Sequence, residues 1–211
     1  MYRVYCLIIG YLFGCIQVSY IVGKLVGKID IREYGSGNAG TTNIVRTLGT
    51  KYGLLVFTLD ILKAVAAYLT CSLLFDGAGT FINPGQPFVQ PGFYAALGTI
   101  IGHDFPFFMQ FRGGKGSASG LGIILCVNLP IALITFATGI ITVGVSRYIS
   151  LASLLMSFIF FVLLLIFKYD AEAVFLAFIL FALSAFQHRG NISRLIKGGE
   201  RKFTFKPKID K

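Results

Sequence analysis

SASGLGIILCVNLPIALITFATGIITVGVS, residues 117 to 146, runs for 30 positions without a charged side chain. As one straight α-helix it would measure about 45 Å, against a hydrocarbon core of about 30 Å. Asn128, Leu129 and Pro130 sit inside it, and proline disfavours helix at the residue before it. The stretch therefore reads as two short spans, Ser117–Val127 and Pro130–Ser146, joined by a tight turn at Asn128-Leu129-Pro130. The first is short enough to need a thinned bilayer or shielding by protein. Whether the stretch counts once or twice decides the topology of the whole chain.

Outward from it, spans are predicted at Val4–Gly23, Gly53–Phe75, Gly92–Phe111, Tyr148–Phe167 and Ala173–Gln187. Lysine and arginine concentrate in cytoplasmic loops. With two crossings in Ser117–Ser146, 16 of the 19 basic residues fall on one side, Arg3 and Lys168 fall opposite, and Lys63 lies within a span. With one crossing the same residues divide 8 against 10, again with Lys63 in a span. The asymmetric count selects seven crossings. The expected fold is an all-α polytopic membrane protein of seven transmembrane helices, some short or broken. Its amino terminus is outside, its carboxyl terminus is cytoplasmic, and residues 1–211 form a single domain.

Composition agrees. Of 211 residues, 55% are hydrophobic and 13% charged, with a mean hydropathy of +0.77. A soluble domain carries about 25% charged residues, so soluble-enzyme and disordered readings are excluded. The net charge of +10 owes much to eight basic residues after Gln187. A basic tail beside a span suits the anionic headgroups of the lipid bilayer rather than nucleic acid. Cys6, Cys15, Cys71 and Cys126 lie in apolar stretches without CxxC spacing and read as small buried hydrophobes, not as a disulfide or zinc framework. The amino-terminal segment lacks a small-residue cleavage site and is expected to be retained as a span. The outside loop Asp76–Pro91 carries turn residues and no clustered reactive groups.

Three polar clusters fall on the cytoplasmic side of this topology, where they could share one site. The first, Gly35-Ser36-Gly37-Asn38-Ala39-Gly40-Thr41-Thr42-Asn43 with Arg46, combines glycines that let backbone N–H groups face an anion with hydroxyl and amide side chains. Its plainer reading is a polar turn whose Asn and Thr cap the next helix. The second is Gly102-His103-Asp104 followed by Arg112-Gly113-Gly114-Lys115-Gly116-Ser117. Glycines around a lysine at a helix start suit phosphate. It is not a Walker sequence, because Met109 stands where the first glycine is needed and Gly116 replaces the Ser or Thr that would hold magnesium. His103 reads by default as a structural residue. The third runs from His188 through Asn191 to Glu200, with His188 and Asn191 spaced to share a helical face. An inside anchor explains Arg189 and Arg201 but not His188 with Asn191. Within the second span, Asp60 and Lys63 are spaced to pair. Ser150 and Ser153, on one face near Arg147, could add donors.

Together GSGNAGTTNIVRTLG, GHDFPFFMQFRGGKGSASGLG and HRGNISRLIKGGERK resemble the bacterial acyl-phosphate:glycerol-3-phosphate acyltransferases, the PlsY family. The resemblance extends along the whole chain, including LDILK, though only these strings are specific. It departs mildly at Ala39, Thr41 and Ser117-Ala118-Ser119, all small replacements. The resemblance implies transfer of a fatty acyl group from acyl phosphate to the position-1 hydroxyl of glycerol 3-phosphate at the cytoplasmic face of the bacterial inner membrane. It places Ser36, Asn38, Thr41, Asn43, Arg46, Lys115, Ser153, His188 and Asn191 at the site, with Glu200 supporting its structure. Gly113, Gly114 and Gly116 would offer backbone donors beside Lys115. His188, oriented by Asn191, is the leading base, and the phosphate of glycerol 3-phosphate is its rival. Direct attack by the alcohol is expected rather than an acyl-enzyme on Ser36, since no Ser-His-Asp arrangement is present. No metal, cofactor or obligatory protein partner is expected. A transporter or a noncatalytic lipid-phosphate-binding subunit are the other classes, disfavoured by motifs crowded at one face and the lack of an inverted repeat.

Overall fold

The computed structural model describes residues 1–76 and 91–204, all of whose regular structure is helical. In order these are α1 (Tyr2–Gly14), α2 (Val18–Val22), α3 (Thr41–Leu48), α4 (Thr50–Asp76), α5 (Pro91–Asp104), α6 (Ser117–Val127), α7 (Leu129–Ser146), α8 (Ile149–Ile166), α9 (Ala171–Gln187) and α10 (Arg189–Ile196). The predicted outside loop falls, apart from its two ends, outside the described residues.

The deciding stretch breaks at Asn128, two residues before Pro130, and Leu129, expected in the turn, is already helical. Asn128 is extended (φ −164°, ψ 129°) between α6 and α7, and its side-chain oxygen accepts from the Ile131 N–H at 3.3 Å, capping α7. On α7 large apolar side chains face outward, Ile140 being 74% and Val145 84% exposed. Such a surface suits a lipid environment. Four helical segments are by themselves long and apolar enough to cross a bilayer: Tyr2–Gly27, Thr50–Phe75, Leu129–Ser146 and Ile149–Ile166. A fifth results if α9 and α10, bent by 63° at His188, form one broken span. Helix α6, with 11 residues, is shorter, as its sequence required.

Two predicted spans differ in detail. The third was expected to reach Phe111, but α5 stops at Asp104, because Phe105 precedes Pro106, and Gln110 and Phe111 then take positive φ. The first was expected to be continuous from Val4 to Gly23. It breaks at Cys15–Gln17, restarts as α2 and ends in a π-helical turn, Gly23–Gly27. The break frees backbone carbonyls that a helix would have used. The Lys63 ammonium on α4 takes two of them, Ile16 O at 2.8 Å and Gly14 O at 3.4 Å. The buried Gln17 side chain donates to His103 O at 2.9 Å.

Helices α1 and α5 cross so closely that side chains are excluded from the seam. A Cβ added at Gly10 would overlap the Ala95 carbonyl, one at Gly14 the Thr99 carbonyl, one at Gly98 the Leu7 carbonyl and one at Gly102 the Tyr11 carbonyl. Both helices thus use a small-xxx-small pattern, which lets backbones approach in a membrane. Gly98→Ala is expected to cost about 1–3 kcal/mol, the usual range for overpacking. A thermal melt in detergent checks this, and an unchanged melting temperature would contradict the crossing. The main core, including Tyr68, Phe93, Ile123, Ile131 and Leu164, lies between these helices and α4 to α9. A second core of Val18, Val22, Ile31, Ala39, Ile44, Val56 and Met109 supports the loops at one end.

Candidate active site

The first cluster is organised from within. Asn43, 1% exposed, accepts from the Ser36 N–H at 2.8 Å and donates to the carbonyls of Ile31 (2.9 Å) and Tyr34 (3.0 Å). Three hydrogen bonds thus tie the Asn43 amide to its own loop, which it holds in shape. The side-chain cap of the plainer reading is not formed: the N-cap of α3 is Gly40, and the buried Thr41 hydroxyl has no hydrogen-bond partner among the described residues. Ser36 is exposed and Asn38 half-buried. Arg32 grips Asp30 at 2.7 Å and donates to Met109 O at 3.1 Å, tying this loop to the second cluster.

The second cluster is pinned to the end of α5. Gly113 N–H donates to Asp104 O at 3.1 Å and Gly114 N–H to His103 O at 2.9 Å. Gln187, the last residue of α9, donates to Gly114 O at 3.3 Å. A Cβ on Gly114 would overlap His103 Nε2 and stand 2.7 Å from Ala39 O, so the first two clusters meet where only glycine fits. Gly116 adopts φ 67° as the chain turns into α6. Lys115 rises between these glycines and its ammonium donates to Asn191 Oδ1.

The third cluster follows the bend after α9. His188 Nδ1 lies 2.8 Å from Ser184 O. A carbonyl only accepts, so Nδ1 carries the proton and the Nε2 lone pair is left available. Burial pushes the His188 pKa down to about 4, with the Ser184 bond opposing and the nearby Lys115 charge adding to the fall. Its imidazole is therefore neutral at pH 7. Asn191 donates onward to Glu200 at 2.6 Å, where Ser150 (2.8 Å) and Arg194 (2.8 Å) also donate. Burial opposes ionisation of Glu200, but these three donors and the Arg194 charge outweigh it and hold its pKa below the ordinary value. The result is a chain from Lys115 through Asn191 to an ionised Glu200.

Around that carboxylate the charges are unbalanced. Burial is the main cause of the lowered Lys115 and Arg46 pKa values. Arg194 lowers both further, and Arg201 lowers that of Arg46. Glu200 offsets them only in part, so the cluster favours a bound anion. Beside it a pocket opens between α5, α6, α8 and α9. Lys115, Gly116 and Ser117 stand at its polar end, Ser153, Ser157 and Ser184 on its wall, and Ile123, Ile124, Phe160 and Leu180 along its apolar length. Ser153 donates to Ile149 O at 3.0 Å. The shape suits an amphiphile with an anionic head.

A family model for glycerol-3-phosphate acyltransferases matches residues 4–198. The chain belongs to that family. It is 41% identical over 209 residues to the glycerol-3-phosphate acyltransferase of Thermoanaerobacter pseudethanolicus, covering 99% of this chain and 100% of the relative. Over 203 residues it is 36% identical to that of Aquifex aeolicus, covering 96% and 100%. Among solved structures it is similar to PlsY, an integral membrane glycerol 3-phosphate acyltransferase, in its glycerol 3-phosphate form. The TM-score is 0.84, with 36% identity and 96% of each chain covered. The lysophosphatidic acid form gives 0.82 with 35% identity and the same coverage. The protein is thus an acyltransferase of phospholipid synthesis with a membrane-embedded fold.

For this acyltransferase the structure brings all three predicted clusters together. Lys115 and Asn191 are in direct contact, Arg46 shares the charge field of Glu200, and Ser153 lines the pocket. Ser150, read from the sequence as a candidate donor, donates to Glu200. Sequence reasoning missed Gln187 as a tie to Gly114, which has no motif signal because it acts across more than 40 residues of chain.

Proposed function

We propose that the protein moves a fatty acyl group from acyl phosphate to the position-1 hydroxyl of glycerol 3-phosphate. The alcohol oxygen attacks the acyl carbonyl carbon, the carbon–oxygen bond to phosphate breaks, and lysophosphatidic acid and inorganic phosphate form. The observation that carries this reading is Lys115, set among glycines at the polar end of an apolar pocket. An acyl phosphate presents that combination of charged head and long apolar chain.

Lys115, the Gly113, Gly114 and Gly116 backbone and Arg46 hold phosphate, and the Thr41 hydroxyl, without a partner among the described residues, supplies a further donor. Ser36 and Asn38 orient the reacting groups, while Asn43 holds their loop in shape. Ser153 lines the acyl pocket. His188 Nε2 accepts the alcohol proton, and Asn191 keeps Lys115 in place against Glu200. Acyl phosphate is already activated, so alignment and charge stabilisation carry most of the chemistry.

The reading extends to placement. Seven crossings, with α1, α4, α5, α6, α7, α8 and α9 one each, set the amino terminus outside and the carboxyl terminus inside a bacterial inner membrane. The site then faces the cytoplasm, where soluble glycerol 3-phosphate is available. The bias of basic residues supports this, as does the gathering of the three clusters at one end of the helices. Residues 1–211 act as a single domain, with no cofactor, metal or obligatory protein partner.

The test is transfer of labelled acyl to glycerol 3-phosphate by purified protein in excess chelator, with acyl phosphate, acyl-CoA and acyl-carrier-protein thioester as parallel donors. Product from acyl phosphate alone is expected. Product from thioesters alone would overturn the donor assignment, and loss of activity on chelation would overturn the metal-free reading. An acyl adduct found by intact mass spectrometry would refute direct transfer.

A further inference from the structure

Lys63 and His103 lie behind the glycine loops, 6% and 4% exposed, and take no part in the transfer described above. The Lys63 ammonium is 2.7 Å from Asp60 Oδ1, 2.8 Å from Ile16 O and 2.9 Å from His103 Nδ1. An ammonium has three protons and no lone pair, so it can only donate: to Ile16 O, to Gly14 O at 3.4 Å and to His103 Nδ1, with Asp60 beside it as an ion-pair partner. His103 Nδ1 must then accept, and the imidazole proton sits on Nε2. Nε2 is the atom that faces the seam where Gly114 of the second cluster meets the Ala39 carbonyl of the first.

We propose that Lys63 fixes His103 in the Nε2–H tautomer and that His103, so held, is a positioning residue for the two phosphate-binding loops. The arrangement is a chain of orientation. Asp60 neutralises Lys63, Lys63 orients the ring, and the ring presents an N–H and a flat surface beneath Gly114. His103 O and Asp104 O meanwhile hold Gly114 N–H and Gly113 N–H, so backbone and side chain of one short segment set the height of Lys115. Misplacement of a binding loop by about 1 Å can cost up to a hundredfold in rate.

Two histidines make the idea measurable, since the chain has only His103 and His188. They are in opposite states: a donor-only partner faces Nδ1 of His103 and an acceptor-only carbonyl faces Nδ1 of His188. Nitrogen NMR of protein labelled with ¹⁵N-histidine, assigned with His188→Asn, should show one ring protonated at Nε2 and the other at Nδ1. A His103 ring protonated at Nδ1 would overturn the proposal. The second arm is kinetic and rests on the acyltransferase reading. His103→Gln places an amide N–H near the Nε2 position, whereas His103→Phe keeps a flat ring without any N–H. The Gln variant should stay within about threefold of wild type, and the Phe variant should raise the KM of glycerol 3-phosphate or acyl phosphate about tenfold or more with a smaller change in kcat. Phe performing as well as Gln would show that the ring only fills space and would overturn the positioning role. Should neither variant fold, the wild-type nitrogen signals decide alone. If wild type transfers nothing from acyl phosphate, the donor reading falls, and those same signals still test the tautomer.

Discussion

Lys115→Met should lower kcat/KM for acyl transfer by about 10²–10³, the loss expected when one preorganised donor to a developing charge is removed. Methionine keeps the apolar stem and removes the ammonium. The fold should tolerate this change, because Lys115 is partly desolvated and sits among Arg194 and Arg189, which disfavour its charge. Asn191 would lose one partner and keep its bond to Glu200. The expected outcome is therefore an unchanged melting temperature with nearly abolished turnover. Steady-state assays beside a melt in detergent separate the two. A variant within about threefold of wild type would place the phosphate elsewhere.

His188→Ala should lower kcat by about 10²–10⁴ if Nε2 accepts the alcohol proton, the usual contribution of a positioned base. Near-full turnover at saturating substrate would instead transfer that role to the phosphate of glycerol 3-phosphate. The pH profile adds a second check. The neutral, accepting form of His188 exists above its pKa of about 4 and is lost below it. After correction for the ionisation of glycerol 3-phosphate, near pH 6 for a phosphomonoester, wild-type kcat/KM should hold steady from pH 8 down to about pH 5. A remaining fall centred near 6.5 would mean that His188 is not buried as the structure has it. The same depression makes folding acid-sensitive: the unfolded chain binds the proton first, so stability declines as pH falls from about 6.5 toward 4.

Much of this protein was readable before any coordinates. An uncharged run of 30 residues interrupted by Asn128 and Pro130 has one economical solution in a bilayer, and the structure breaks the run at that point. Asp60 and Lys63 were legible as a pair because helical spacing alone brings them together. The three clusters carried the family, since glycines beside a lysine, and a histidine three residues before an asparagine, are local patterns that survive without knowledge of the fold.

What the sequence could not show was set by contacts between distant segments. The end of α5 at Asp104 was in principle legible from Pro106. The break at Cys15–Gln17 was not: it is stabilised by Lys63 and by the bond of Gln17 to His103 O, both from other helices. That Asn43 clasps its own loop was not legible either, because its amide partners, Ile31 O and Tyr34 O, are chosen by a fold-back that no periodicity encodes. The proton positions on His103 and His188 depend on whether the neighbour is an ammonium or a carbonyl. Chain composition and spacing thus determined the class of protein and its membrane setting, and the resemblance of its three motif strings to a known family pointed to the chemistry. Tertiary structure alone decided which polar groups are tied to the fold, because their partners lie far apart in the sequence.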